Sequence, residues 1–86
     1  MDRFKDKTVI VTGAGSGIGK STALRLDAEG AELLIVDINE EQLDITHSLL
    51  KNLTSTSHTL NIASHEETKN FFQNLRKKKR RIDALV

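Results

Sequence analysis

The stretch Thr12-Gly13-Ala14-Gly15-Ser16-Gly17-Ile18-Gly19-Lys20-Ser21-Thr22 decides how the rest of this 86-residue chain is read. Two spacings are superimposed in it. From Ala14 it reads A-x-x-x-x-G-K-S, one residue away from the G-x-x-x-x-G-K-[ST] loop that cradles nucleoside triphosphates. From Gly13 it reads G-x-x-x-G-x-G, wider than the G-x-G-x-x-G turn that underlies dinucleotide pyrophosphates. Both readings use the same physics. A strand delivers the chain into a glycine turn, and the next helix aims its free N–H groups and positive dipole end at an anion.

Working outward, Thr8 to Thr12 (T-V-I-V-T) is a β-branched apolar run and predicts a buried strand. After the glycines, Ile18, Thr22, Ala23, Leu26 and Gly30 fall on one helical face, with Gly30 placed to stop the helix. Glu32 to Asp37 (E-L-L-I-V-D) is a second buried strand. Asn39 with Gln42 resembles a capping box, followed at helical spacing by Leu43, Thr46, Leu50 and Leu53. Thr54 to Ser57 reads as a polar turn into a short strand, His58 to Ile62. Ser64 with Glu67 is a second capping box, opening a helix that presents Thr68, Phe71, Phe72 and Leu75. Ile82 to Val86 begins a fourth strand.

The order β-α-β-α-β-α-β with short connections implies α/β architecture, a parallel sheet with right-handed crossovers. Continuously apolar strands suit a sheet covered on both faces. One small domain is the most that 86 residues allow, burying about 60–65% of the unfolded chain's surface. Because the sequence stops in an apolar strand, it is expected to be the front part of a larger domain, truncated in the fourth strand.

The spacing separates the two loop readings. In the triphosphate reading, Leu33 to Asp37 would be the strand whose acid holds magnesium. That strand follows the first helix directly, so it is the next strand of the unit, and Lys20 and Ser21 become ordinary helix residues. The dinucleotide reading requires an acid at the end of the second strand, about 20 residues on, and Asp37 stands there. The first helix has only Ser16 as a cap, with Gly19 where Glu or Gln would complete a box, which leaves the place to an anion.

K-T-V-I-V-T-G-A-G-S-G-I-G-K-S-T-A-L-R-L, E-G-A-E-L-L-I-V-D-I-N, T-L-N-I and R-R-I-D-A-L-V resemble, in order, four segments of the short-chain dehydrogenase/reductase family. The resemblance covers the whole chain and implies the N-terminal part of a Rossmann-type, doubly wound NAD(P)-binding domain across residues 1–86. It implies that Gly13, Gly17 and Gly19 lie under the pyrophosphate, that Ser16 and Ile18 line the loop, and that Asp37 binds the adenosine ribose. Asn61 and Ile62 would flank the adenine, Asn61 standing where the family usually has Asp. The Asp37 carboxylate repels a 2′-phosphate, and neither Ser16 nor Ile38 offers a positive charge, so NAD is expected rather than NADP.

The family's catalytic groups are a serine and a Tyr-x-x-x-Lys pair beyond the fourth strand, and this chain contains no tyrosine. The 86 residues alone are therefore expected not to turn over substrate, and the resemblance leaves the substrate open. The complete protein is expected to be a homo-oligomer. Two other functions are compatible with the residues. One is a non-enzymatic module whose fourth-strand edge pairs with a partner. The other is a phosphate-loop nucleotide hydrolase dependent on Lys20.

Other features read as structure. The chain has no cysteine, a formal charge of +1 and no metal spacing among His47, His58 and His65. Its charged start has no apolar signal segment, and its longest Val/Ile/Leu run, Leu33 to Val36, is far too short to span a membrane. A cytoplasmic protein is the expectation. R-K-K-K-R-R (76–81) reads as a solvated helix C-terminus rather than a nucleic-acid grip, since no aromatic residues interleave. The family usually has glycine where Arg80 stands, which would cost about 1 kcal/mol if φ there is positive. Asp27 reads as an exposed residue of the first helix without a role.

Overall fold

Among the described residues four short strands alternate with three helices and pair only in parallel. The computed structural model describes residues 3–78 and 80–86. The elements are β1 (Thr8–Thr12), α1 (Gly17–Ala28), β2 (Glu32–Asp37), α2 (Glu40–Leu49), β3 (Thr56–Thr59), α3 (His65–Lys77) and β4 (Ala84–Leu85). Strand order is β3-β2-β1-β4. Val9 faces Leu33, and Val11 faces Ile35, across the central pair.

This order places the helices. The chain moves outward from β1 to β2 to β3, so right-handed crossovers put α1 and α2 on one face. It then returns past β1 to β4, and α3 takes the other face. The core divides accordingly. Val9, Val11, Leu33 and Ile35 pack with Ala23 of α1 and Leu43 of α2. Ile10, Leu34 and Val36 pack with Phe71 and Leu75 of α3. Both strands bury alternate residues on opposite faces, which is why they read as unbroken apolar runs.

β1 and β2 occupy the expected residues. β3 starts two residues earlier than expected and ends three earlier: Thr56 and Ser57, read as turn, pair with Leu34 and Ile35. The polar turn before it is anchored by Ser55, whose buried Oγ accepts the Leu33 N–H at 2.9 Å. β4 is shorter than Ile82–Val86, although the Asp83 and Val86 N–H groups continue its pairing to the Thr8 and Ile10 carbonyls. Leu53, placed by periodicity on the buried face of α2, lies beyond the helix and is 95% exposed. Phe72 also faces outward.

Gly30 ends α1 as expected. At φ 96° it donates to Asp27 O, while the Ala31 N–H reaches back to Leu26 O, the paired bonds of a Schellman closure. The same helix corrects the reading of Asp27. It is only 7% exposed, and its carboxylate accepts the backbone N–H groups of Lys51 at 2.8 Å and Asn52 at 3.0 Å. Asp27 thus clips α1 to the connection between α2 and β3.

Arg80 is not at positive φ; among the described residues other than glycine only Asp6 is. Its guanidinium pairs with Glu32 at 2.6 Å, and Arg81 pairs with Asp83 at 2.9 Å. The Thr54 hydroxyl, then Arg80 and the Thr8 hydroxyl, hold the Glu32 carboxyl below its usual range against the opposing effect of burial. The Thr8 N–H, with Arg81 and Lys7, does the same for Asp83. Part of the basic run is therefore consumed in bracing the sheet; Lys79 lies outside the described residues. His58 packs edge-on against Phe71 at 5.1 Å, and its burial, with Arg80 and Lys78 nearby, holds the imidazole below its ordinary value.

Thr46 is fully buried on α2, and its hydroxyl has no hydrogen-bond partner among the described residues. A buried orphan hydroxyl carries its desolvation cost without return, whereas valine has the same branched shape and no polar atom. Thr46→Val is expected to add about 1 kcal/mol of stability, read as a raised urea midpoint at unchanged slope. A lowered midpoint would show that the hydroxyl is satisfied.

Candidate functional site

The strand order reverses at β1, which has β2 on one side and β4 on the other. In open α/β sheets the crevice beyond the C-terminal strand ends at such a point is where ligands bind. The glycine loop, residues 13–16, leaves β1 there.

The glycines of the loop and of the start of α1 divide three tasks among them. Gly13 and Gly17 hold φ of 64° and 57°, where a side chain would be strained, and a Cβ on either would meet nothing within 4 Å. They line open space. Gly19 is the reverse case: a methyl there would overlap the Gly13 carbonyl, with Thr12 O 2.9 Å away. It lets α1 close onto the end of β1, so its part in the site is packing beneath the loop. Gly15 was given no role by the sequence, yet its N–H donates to Asp37 Oδ2 at 2.8 Å. Ala14 is buried and donates its N–H to Val36 O at 3.0 Å, so the first position of the triphosphate spacing is tied into the sheet.

Ser16 is the N-cap of α1 in extended conformation, and its side chain makes no cap bond. The helix has no acid in its first turn, and Lys20 N–H to Ser16 O, at 3.2 Å, opens its ladder. The other helices are closed differently. Asn39 accepts the Gln42 N–H at 3.0 Å, and Ser64 accepts the Glu67 N–H at 3.3 Å. In neither does the returning arm of the box reach the cap. Asn39 N–H goes to Asp37 Oδ1 at 2.9 Å, and Glu67 reaches past Ser64 to the Asn61 N–H at 3.2 Å.

Asp37 therefore accepts one backbone N–H on each oxygen, from the glycine loop and from the start of α2. Its remaining lone pairs stay available. It borders a cleft of about 150 Å³ lined by Gly13, Val36, Asp37, Ile38, Leu60, Asn61 and Ile62. Five of the nine residues singled out from the sequence meet in that cleft: Gly13, Asp37, Ile38, Asn61 and Ile62. Ser16, Gly17 and Ile18 stand at the exposed start of α1. Ile18 is 87% exposed, so it belongs to the loop's outer lip and not to the buried face assigned by periodicity. The far wall is held by local bonds. Leu60 N–H donates to Asp37 O, Ala63 N–H to Asn61 Oδ1, Ser64 N–H to Asn61 O, and the Thr68 hydroxyl to Ile62 O.

Open space over two left-handed glycines, an uncapped helix start and an acid beside an apolar-walled cleft fit the pyrophosphate and adenosine half of a dinucleotide. Among the described residues no cluster of His, Cys, Asp or Glu could hold a metal ion. No helix among them is long and apolar enough to cross a membrane.

Known proteins agree with this geometry. The chain is 34% identical over 85 residues to a meso-2,3-butanediol dehydrogenase of Serratia marcescens, covering 98% of this chain and 34% of that protein. The solved structure of a citronellol catabolism dehydrogenase from Pseudomonas aeruginosa PAO1 superposes with a TM-score of 0.86 at 34% identity, over 99% of this chain and 36% of that one. An NAD+-bound xylitol dehydrogenase structure gives 0.84 at 32% identity, over 96% and 33%. The chain thus spans about a third of the length of these relatives. The family model for short chain dehydrogenases matches residues 7–86, and with the doubly wound sheet and its glycine loop this makes the chain a member of the short-chain dehydrogenase/reductase family.

Proposed function

We propose that this chain is the dinucleotide-binding portion of a short-chain dehydrogenase/reductase, a partial Rossmann domain over residues 1–86 that takes NAD in preference to NADP. The observation that carries the reading is Asp37, fixed by two backbone N–H groups at the mouth of the cleft. A carboxylate there accepts from ribose hydroxyls and repels a 2′-phosphate. Gly13 and Gly17 admit the pyrophosphate close to the backbone, Ser16 and Ile18 border it, and the α1 dipole favours its charge. Ile38, Asn61 and Ile62 enclose the adenine, Asn61 with an amide that both donates and accepts. The bound dinucleotide supplies the hydride acceptor or donor; these residues orient it.

The three relatives are named for a diol, a terpenoid alcohol pathway and a sugar alcohol, yet each matches this portion over about a third of its own length, at 32–34% identity. Substrate choice is therefore assigned to parts of the protein outside residues 1–86. So are the acid/base of hydride transfer and assembly into a homo-oligomer. A cytoplasmic setting suits a protein that draws on a dinucleotide pool.

Calorimetric titration with NAD+ and NADP+ tests the reading. Asp37→Ala is expected to weaken NAD+ by about tenfold and NADP+ far less, the loss of charge-assisted bonds to the ribose. Equal affinity of the unaltered protein for the two cofactors would remove Asp37 from this role.

A further inference from the structure

Asp37 does not hold its position by itself. Its Oδ2 rests on the Gly15 N–H at 2.8 Å, and a Cβ on Gly15 would lie 2.8 Å from that oxygen, 3.2 Å from Asp37 Cγ and 3.0 Å from Gln42 Cβ. Position 15 is thus a slot with the carboxylate on one wall and the first turn of α2 on the other. Its φ is not in the left-handed region, so the backbone does not demand glycine there. What crowds a side chain there is the Asp37 carboxylate first and the Gln42 Cβ second.

We infer that Gly15 is a positioning residue that sets the preference between NAD and NADP through Asp37, an inference that rests on the dinucleotide reading above. Glycine at 15 lets the carboxylate lie against the loop, with its free lone pairs turned to the ribose side. Any larger residue forces the carboxylate out of the slot. That costs the ribose contacts and also withdraws the negative charge from where a 2′-phosphate would sit. The two cofactors therefore respond in opposite senses to one methyl group at a position that need touch neither.

The test is a double-mutant cycle on the full chain, combining Gly15→Ala with Asp37→Ala, with NAD+ and NADP+ as probes in calorimetry and unfolding followed without ligand. Gly15→Ala in the parent is expected to lower the ratio of NAD+ to NADP+ affinity about tenfold, and in the Asp37→Ala background to change it less than about twofold. Ligand-free melting supplies a readout independent of binding. Gly15→Ala should lower the midpoint less in the Asp37→Ala background than in the parent, because the nearest group being struck is gone there. A Gly15→Ala protein that keeps the parent's ratio overturns the inference, and so does one whose ratio shifts equally in both backgrounds. If Gly15→Ala alone does not fold, a double variant that also fails to fold while Asp37→Ala alone folds overturns the inference too. A parent that binds NADP+ as well as NAD+ is a separate result and sinks the underlying reading instead.

Discussion

Gly19→Ala is expected to lower stability by roughly 3 kcal/mol, the upper end of what overpacking costs. The added methyl would overlap the Gly13 carbonyl carbon and oxygen, which are backbone atoms of the loop and cannot rotate away. Relief requires α1 to back off from β1, opening the contact between Ala23 and the sheet and moving the loop with it. Dinucleotide binding should be lost together with the stability. Alanine at Gly13 or Gly17 meets open space and carries only the left-handed backbone penalty, about 1–2 kcal/mol. Urea midpoints of the three variants, at constant slope, provide the comparison. If Gly19→Ala melts with or above the other two, α1 does not need this close approach.

The second large effect is expected at Asp27. Removing its carboxylate leaves the Lys51 and Asn52 N–H groups without their charged acceptor in a partly buried place. Asp27→Ala should cost about 3 kcal/mol, the range for hydrogen bonds to a charged group. Asp27→Asn should recover only part of this, because one of its two ends is a donor facing a donor. Amide exchange gives the local signature: Lys51 and Asn52 should lose protection in both variants, ahead of the β1 and β2 amides. A cost below about 0.5 kcal/mol, typical of surface changes, would mean that the clip is idle.

These two residues also mark how far the sequence could be read. β1 and β2 were legible to the residue because they are buried on both faces, and a run bounded by Lys7, Glu32 and Asp37 has no other stable reading. β3 is an edge strand of Thr, Ser and His, half-exposed and without apolar alternation, so its polar start resembled a turn. Leu60 and Ile62, apolar enough to extend it, leave the sheet and wall the cleft instead. Asp27 was misread because an acid on a helix looks solvated until the chain positions 51 and 52 are known to return to it. At the site, Gly13 and Asp37 were identifiable from spacing, whereas Asn61 and Ile62 came only with the family resemblance. Gly15 was not identifiable, since it is an unspecified position within the G-x-x-x-G-x-G spacing and its partner lies 22 residues away. Periodicity misplaced Ile18, because a residue in the first turn of α1 faces whatever the loop faces.

The bonds that fasten residues 60–64 have a thermodynamic consequence for any guest of the cleft. Nearly every residue of that segment is committed to β2, to α3 or to its own turn before a ligand arrives. The ordering entropy, about 1–2 kcal/mol for each backbone residue fixed, is thus settled during folding and not at association. This wall behaves as a preformed surface, so contacts made against it carry no further cost of ordering the segment.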